Sequence, residues 1–110
     1  MDHKSALEFV LTQHSLVCGA ILREDGEVVQ QAGDFSGMEW APSLLNATSF
    51  VLLDGAIRPA MLGEGREFAL LERAGPWLVI VFGLDRAEGM EHILFARRVG
   101  ASIMQTFAAN

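Results

Sequence analysis

Two stretches decide the fold: Leu16-Val-Cys-Gly-Ala-Ile-Leu22 and Trp77-Leu-Val-Ile-Val-Phe82. In an extended chain successive side chains point to opposite faces, so both stretches are apolar on both faces. A strand with no polar face is covered from both sides. The second stretch is also rich in Val, Ile, Phe and Trp, the residues that suit a pleated, buried surface. Both fall far short of the roughly 20 apolar residues that span a bilayer as a helix. They read as the two central strands of one sheet.

The neighbours of each strand read as hairpins. After the first comes Arg23-Glu-Asp-Gly26, in which Asp-Gly supplies the positive φ that a tight turn needs. Residues 27–32 then form the partner strand, with Val28 and Val29 on opposite faces and Gln30 and Gln31 giving the polarity of an edge. Before the second central strand, residues 66–73 alternate in part, with Phe68 and Leu70 on one side and Ala69 and Leu71 on the other. Ala74-Gly-Pro76 is the turn between them.

Three segments carry helical spacing. In residues 3–14, Ala6, Leu7, Val10 and Leu11 make one apolar stripe, with Asp2 as N-cap. Residues 38–61 form a long middle helix whose stripe is Leu44, Leu45, Thr48, Val51, Leu52 and Ala56. Ser36 with Glu39 matches a capping box, Pro42 favours a later start near Ala41, and Pro59 ends the helix. Residues 87–108 form the last helix, headed by Asp85 and Glu88. Its broad apolar face holds Met90, Ile93, Leu94, Ala101, Ile103, Met104 and Phe107, opposite Glu91, Arg97, Arg98 and Gln105.

The predicted order is α-β-β-α-β-β-α over residues 1–110, a single domain. Doubly apolar strands need cover on both faces, so the fold class is α/β (α+β). It is a three-layer sandwich: a mostly antiparallel sheet of four to five strands with helices on both faces.

Composition narrows the function. The chain has 110 residues, 51% hydrophobic and 20% charged, with mean hydropathy +0.30, which excludes disorder. Eight Lys and Arg against fourteen Asp and Glu leave a net charge of −6. Nucleic acid is not an expected partner, because phosphate binding needs clustered Lys and Arg. One cysteine cannot form an internal disulfide and fits a reducing, cytoplasmic compartment. The start of the chain does not read as a signal peptide, and no membrane span is expected.

No catalytic, cofactor or metal site is expected. His3, His14 and His92 are scattered and read as solvated helix-end residues, whereas a metal needs converging ligands. Cys18 lies inside a buried strand and reads as a small hydrophobe. The serines lack a nucleophile-elbow context. Gly63-Glu-Gly65 lacks the Lys-Ser/Thr of a phosphate loop and reads as a turn. Asp34 and Asp85 read as loop and cap residues rather than an acid–base pair.

The middle helix points to a contact surface. Beyond its core stripe it carries Ala47, Ser49, Phe50 and Leu53, so apolar groups extend around most of its girth. Such a helix is buried on more than one side, and a second subunit is the simplest second cover. Those four residues are the expected dimer interface. Trp40, Arg97 and Arg98 are the candidate partner-binding residues, since Trp and Arg are enriched at interfaces. Trp77, which begins a strand, reads as core.

The succession of a short helix, the hairpin Gly-Ala-Ile-Leu-Arg-Glu-Asp-Gly-Glu-Val-Val (residues 19–29), a Gly-Asp loop (33–34), a middle helix rich in small residues, Leu-Val-Ile-Val-Phe (78–82) and a long final helix with Arg97-Arg98 resembles the bacterial branch of the Roadblock/LC7 family. The likeness spans essentially the whole chain and rests on element order. It implies a homodimer with paired middle helices and sheets joined at their edges. It further implies a non-enzymatic regulator or scaffold that binds a Ras-like small GTPase, and it implies no cofactor. The family's sheet has three strands between the middle and last helices. Only residues 66–73 and 77–82 read clearly here, unless Ala60–Leu62 supplies a stub. The rival expectation is a small-ligand sensor or dimerisation module, which would need a pocket between sheet and middle helix with convergent polar groups.

Overall fold

In the computed structural model, residues 2–38, 60–62, 67–84 and 89–108 are described. They form helix α1 (His3–Gln13), strands β1 (Cys18–Leu22) and β2 (Val28–Gly33), a short 3₁₀ turn (Phe35–Gly37), strands β3 (Ala60–Leu62), β4 (Phe68–Ala74) and β5 (Trp77–Gly83), and helix α2 (Gly89–Ala108). The five strands make one antiparallel sheet in the order β2-β1-β5-β4-β3. The expected α+β architecture with an antiparallel sheet is present.

The two doubly apolar runs become β1 and β5, which pair with each other at the centre, Ala20 opposite Ile80. Every residue of β1 is buried. Gln-bearing β2 lies at one edge, as its polarity requires. Its pairing slips beside Leu22, which faces Val28 while Ile21 faces Gln30; Val29 is the extra residue of a bulge. The β1–β2 turn uses Gly26 at φ 90°. It is tied by Asp25 accepting from the Glu27 amide at 2.9 Å and by the Arg23–Glu27 ion pair at 3.1 Å.

The sheet separates two cores. On one face, Ile21, Phe68, Leu70, Val79 and Val81 pack against Leu7, Val10 and Leu11 of α1 and Val99, Ile103 and Phe107 of α2. On the other, Cys18, Ala20, Leu22, Ala69, Leu71, Leu78, Ile80 and Phe82 are also buried, against Phe35 and Met38. Thus α1 and α2 share one face. The middle-helix stripe expected over the opposite face lies outside the described residues.

Two expectations need correcting. The helical reading of residues 38–61 is too long at both ends. Met38 is extended, with φ −115° and ψ 105°, and is buried against the sheet. Residues 60–62 pair with β4, Ala60 opposite Leu71. Two strands after the middle segment was therefore one too few: the stub following Pro59 is a third strand and forms the sheet edge. Of the expected Ser36–Glu39 capping box, Glu39 lies outside the described residues, and Ser36 is seen turned to Asp34. Its amide and hydroxyl both donate to Asp34, at 2.9 and 2.6 Å, because Asp34 caps the 3₁₀ turn. These bonds, the hydroxyl's first, hold the Asp34 carboxyl below its ordinary range.

Candidate interaction surface on the last helix

The exposed apolar groups concentrate on α2. Its buried side chains are Val99, Ile103 and Phe107, with Phe95 and Ala96 packed beside them. At 100° per residue these define one flank of the helix. Met90, Ile93, Leu94 and Met104 lie on the opposite flank and are 68%, 46%, 46% and 52% exposed. The single broad apolar face read from sequence is therefore two faces. Ile103 and Phe107 belong to the core; Met90, Ile93, Leu94, Ala101 and Met104 look outward.

Arg97 and Arg98 are neighbours in sequence that the helix turns apart. Arg98 lies toward α1, with its guanidinium 6.0 Å from the Phe95 ring centroid. On that same side Ser102 donates to Gln13 of α1 at 2.9 Å. Arg97 is exposed and projects within the outward apolar stripe, between the angular positions of Met90 and Met104. It forms no ion pair among the described residues. The expected set Ala47, Ser49, Phe50 and Leu53, and Trp40, lie outside those residues.

The α1–α2 joint corrects the reading of His14. Its ring stands edge-on to Phe95 at 6.4 Å, and Nε2 is buried without a hydrogen-bond partner. It is a packed group at the end of α1, not a solvated one. Burial, and then the Arg98 charge, push its pKa down, so the neutral ring is favoured. His3 is half-buried and meets Trp77 edge-on at 4.8 Å. Trp77 packs against the helix-side core, as expected.

The chemistry offered elsewhere is sparse. Cys18 is fully buried, and burial pushes its thiol up to about 12, which leaves no thiolate at neutral pH. No group of three or more His, Cys, Asp or Glu converges among the described residues. Glu72 is 6% exposed on β4, and burial raises its pKa. An open groove of about 450 Å³ lies at the hairpin end, lined by Arg23, Glu24, Asp25, Pro76 and Trp77. The Arg73–Glu24 contact at 2.6 Å braces the two hairpins there. No described helix is long and apolar enough to cross a membrane.

The outward stripe was legible in principle. Val99, Ile103 and Phe107 repeat at four-residue spacing with Phe95 one turn earlier, and that line already fills the core side of the helix. Met90, Ile93, Leu94 and Met104 cannot share it.

No family profile and no curated protein matches the sequence. Solved structures do match in shape. MglC from Myxococcus xanthus superposes with TM-score 0.65 at 17% identity, over 96% of this chain and 97% of that one. MglB from the same organism gives 0.64 at 11% identity, over 96% and 87%. A Roadblock/LC7 domain from Streptomyces avermitillis gives 0.57 at 19% identity, over 92% and 94%. At these identities the likeness is one of fold, and the chain has the fold of the Roadblock/LC7 domains.

Proposed function

We propose that the chain is a non-enzymatic, homodimeric regulator or scaffold that binds a Ras-like small GTPase in the cytoplasm and favours one of its nucleotide states. The observation that carries this reading is the whole-chain likeness in fold to MglB, MglC and a Roadblock/LC7 domain. The family resemblance in the sequence supplies the GTPase.

In this reading two middle helices pair through Ala47, Ser49, Phe50 and Leu53, and Trp40, Arg97 and Arg98 contribute to the partner surface. Any acceleration of hydrolysis would come from positioning the GTPase's own loops. Sedimentation at micromolar concentration, with mass spectrometry of copurifying proteins, tests it. A dimer carrying a small GTPase is expected. A monomer with no GTPase would overturn the reading.

A further inference from the structure

The outward face of α2 has a composition that selects its partner. Met90, Ile93, Leu94, Ala101 and Met104 are exposed on one flank, and Arg97 is the only charged residue among them. From Met90 to Met104 the stripe runs roughly 21 Å at 1.5 Å per residue. The spacing 90, 93, 97 and 104, with 94 and 101 adjoining, follows the seam of a helix that packs along another helix. Glu91, Arg98 and Gln105 lie beside the stripe, on the flank that turns toward α1.

A second copy of this chain does not suit the face. Arg97 sits at the midpoint of the stripe. Any two-fold pairing that uses its full length, parallel or antiparallel, sets Arg97 against its own equivalent. The stripe holds no acid to offset two guanidinium groups brought together out of water, and like charges so placed are strongly unfavourable. A partner with an acid at the matching position gives the guanidinium a planar, two-pronged acceptor instead.

We infer that this face docks an amphipathic helix of a different protein, one whose apolar seam is interrupted by a single Asp or Glu that meets Arg97. The flexible Met90 and Met104 side chains adapt to apolar residues one or two turns either side of that acid. The inference rests on the reading that the chain works by protein contact. It names the chemistry of one contact and leaves the GTPase to a separate assay, so either can fail alone.

The test uses the full chain and fluorescently labelled synthetic helices of about three heptads, with Leu at the seam positions. The central seam residue is Glu, Gln or Lys. Anisotropy titrations should show the Glu helix binding about tenfold or more tighter than the Lys helix. Arg97→Glu should reverse that order, Arg97→Gln should level it, and Leu94→Asp should remove binding of all three. Both positions are exposed, so the variants should keep the wild-type circular dichroism. Failure to bind any helix, or affinity indifferent to the central residue, would overturn the inference. So would loss of self-association in Leu94→Asp by sedimentation, which would assign the face to a second copy. Co-sedimentation with anionic phosphatidylglycerol vesicles that Leu94→Asp abolishes would assign it to a lipid surface and equally overturn it.

Discussion

Ile103 and Ile93 are chemically identical, lie ten residues apart on α2, and differ in what surrounds them: 0% against 46% exposure. Replacing each by alanine isolates that difference. At Ile103 the loss combines transfer free energy with a cavity against Val79, Val81 and Phe107, about 2–5 kcal/mol. At Ile93 only about half of the side chain is out of water. A fully buried Ile is worth roughly 1.5–3 kcal/mol, so the cost is about 1 kcal/mol, with no cavity to add. Alanine's higher helix propensity returns a few tenths of a kcal/mol at both sites and cancels in the comparison. The two variants should therefore differ by about 2 kcal/mol. Urea titrations should show equal slopes and midpoints shifted accordingly. Each kcal/mol moves Tm by roughly 4–8 °C in domains near this size, so the gap should exceed about 8 °C. Equal losses at the two positions would refute the division of α2 into a core face and an outward face, and the docking surface with it.

Other expectations follow from particular residues. Gly33 has φ +84°, and a Cβ there would lie 2.3 Å from the Val17 carbonyl oxygen and 2.6 Å from Cys18 Cα. Gly33→Ala should lower stability by more than the roughly 1–2 kcal/mol of left-handed strain alone, read by urea midpoint. Cys18, with its thiol near 12, should react with a thiol reagent at pH 8 only after denaturant is added; prompt native labelling would contradict its burial. The raised pKa of Glu72 means that the folded state holds its proton more tightly than the unfolded chain. That carboxyl's contribution to stability is therefore greatest below the unfolded pKa and falls as pH rises through the folded one. Glu72→Gln should melt higher than wild type at pH 7, with the gap closing below about pH 4. Leu53→Glu should split the proposed dimer into soluble monomers by sedimentation. An unchanged dimer would place Leu53 outside the interface.

The strands were readable because their chemistry is local. Residues 16–22 and 77–82 have no polar face, so their central positions and mutual cover followed from composition alone. The Asp25-Gly26 and Gly75-Pro76 turns announced the hairpins, and Asp2 capped α1 as expected, accepting from the Ser5 amide at 2.7 Å. The errors arose where tertiary contacts decide. The three-residue β3 has no period of its own, and only its pairing with β4 makes it a strand. His14 looked solvated because Phe95, which covers it, is distant in sequence. On the candidate surface, Arg97 and Arg98 were found as residues. That Arg98 is the one turned toward α1 needed the tertiary structure, whereas the outward Met90–Leu94–Met104 flank was open to reading from the spacing of Val99, Ile103 and Phe107.

The central claim is that this fold regulates a small GTPase by contact. Its most direct test is a pull-down from the source lysate with the tagged full chain, once with GDP and once with a non-hydrolysable GTP analogue, read by mass spectrometry. The account predicts a Ras-like GTPase enriched in one nucleotide state. A folded bait that captures no GTPase in either state would contradict it.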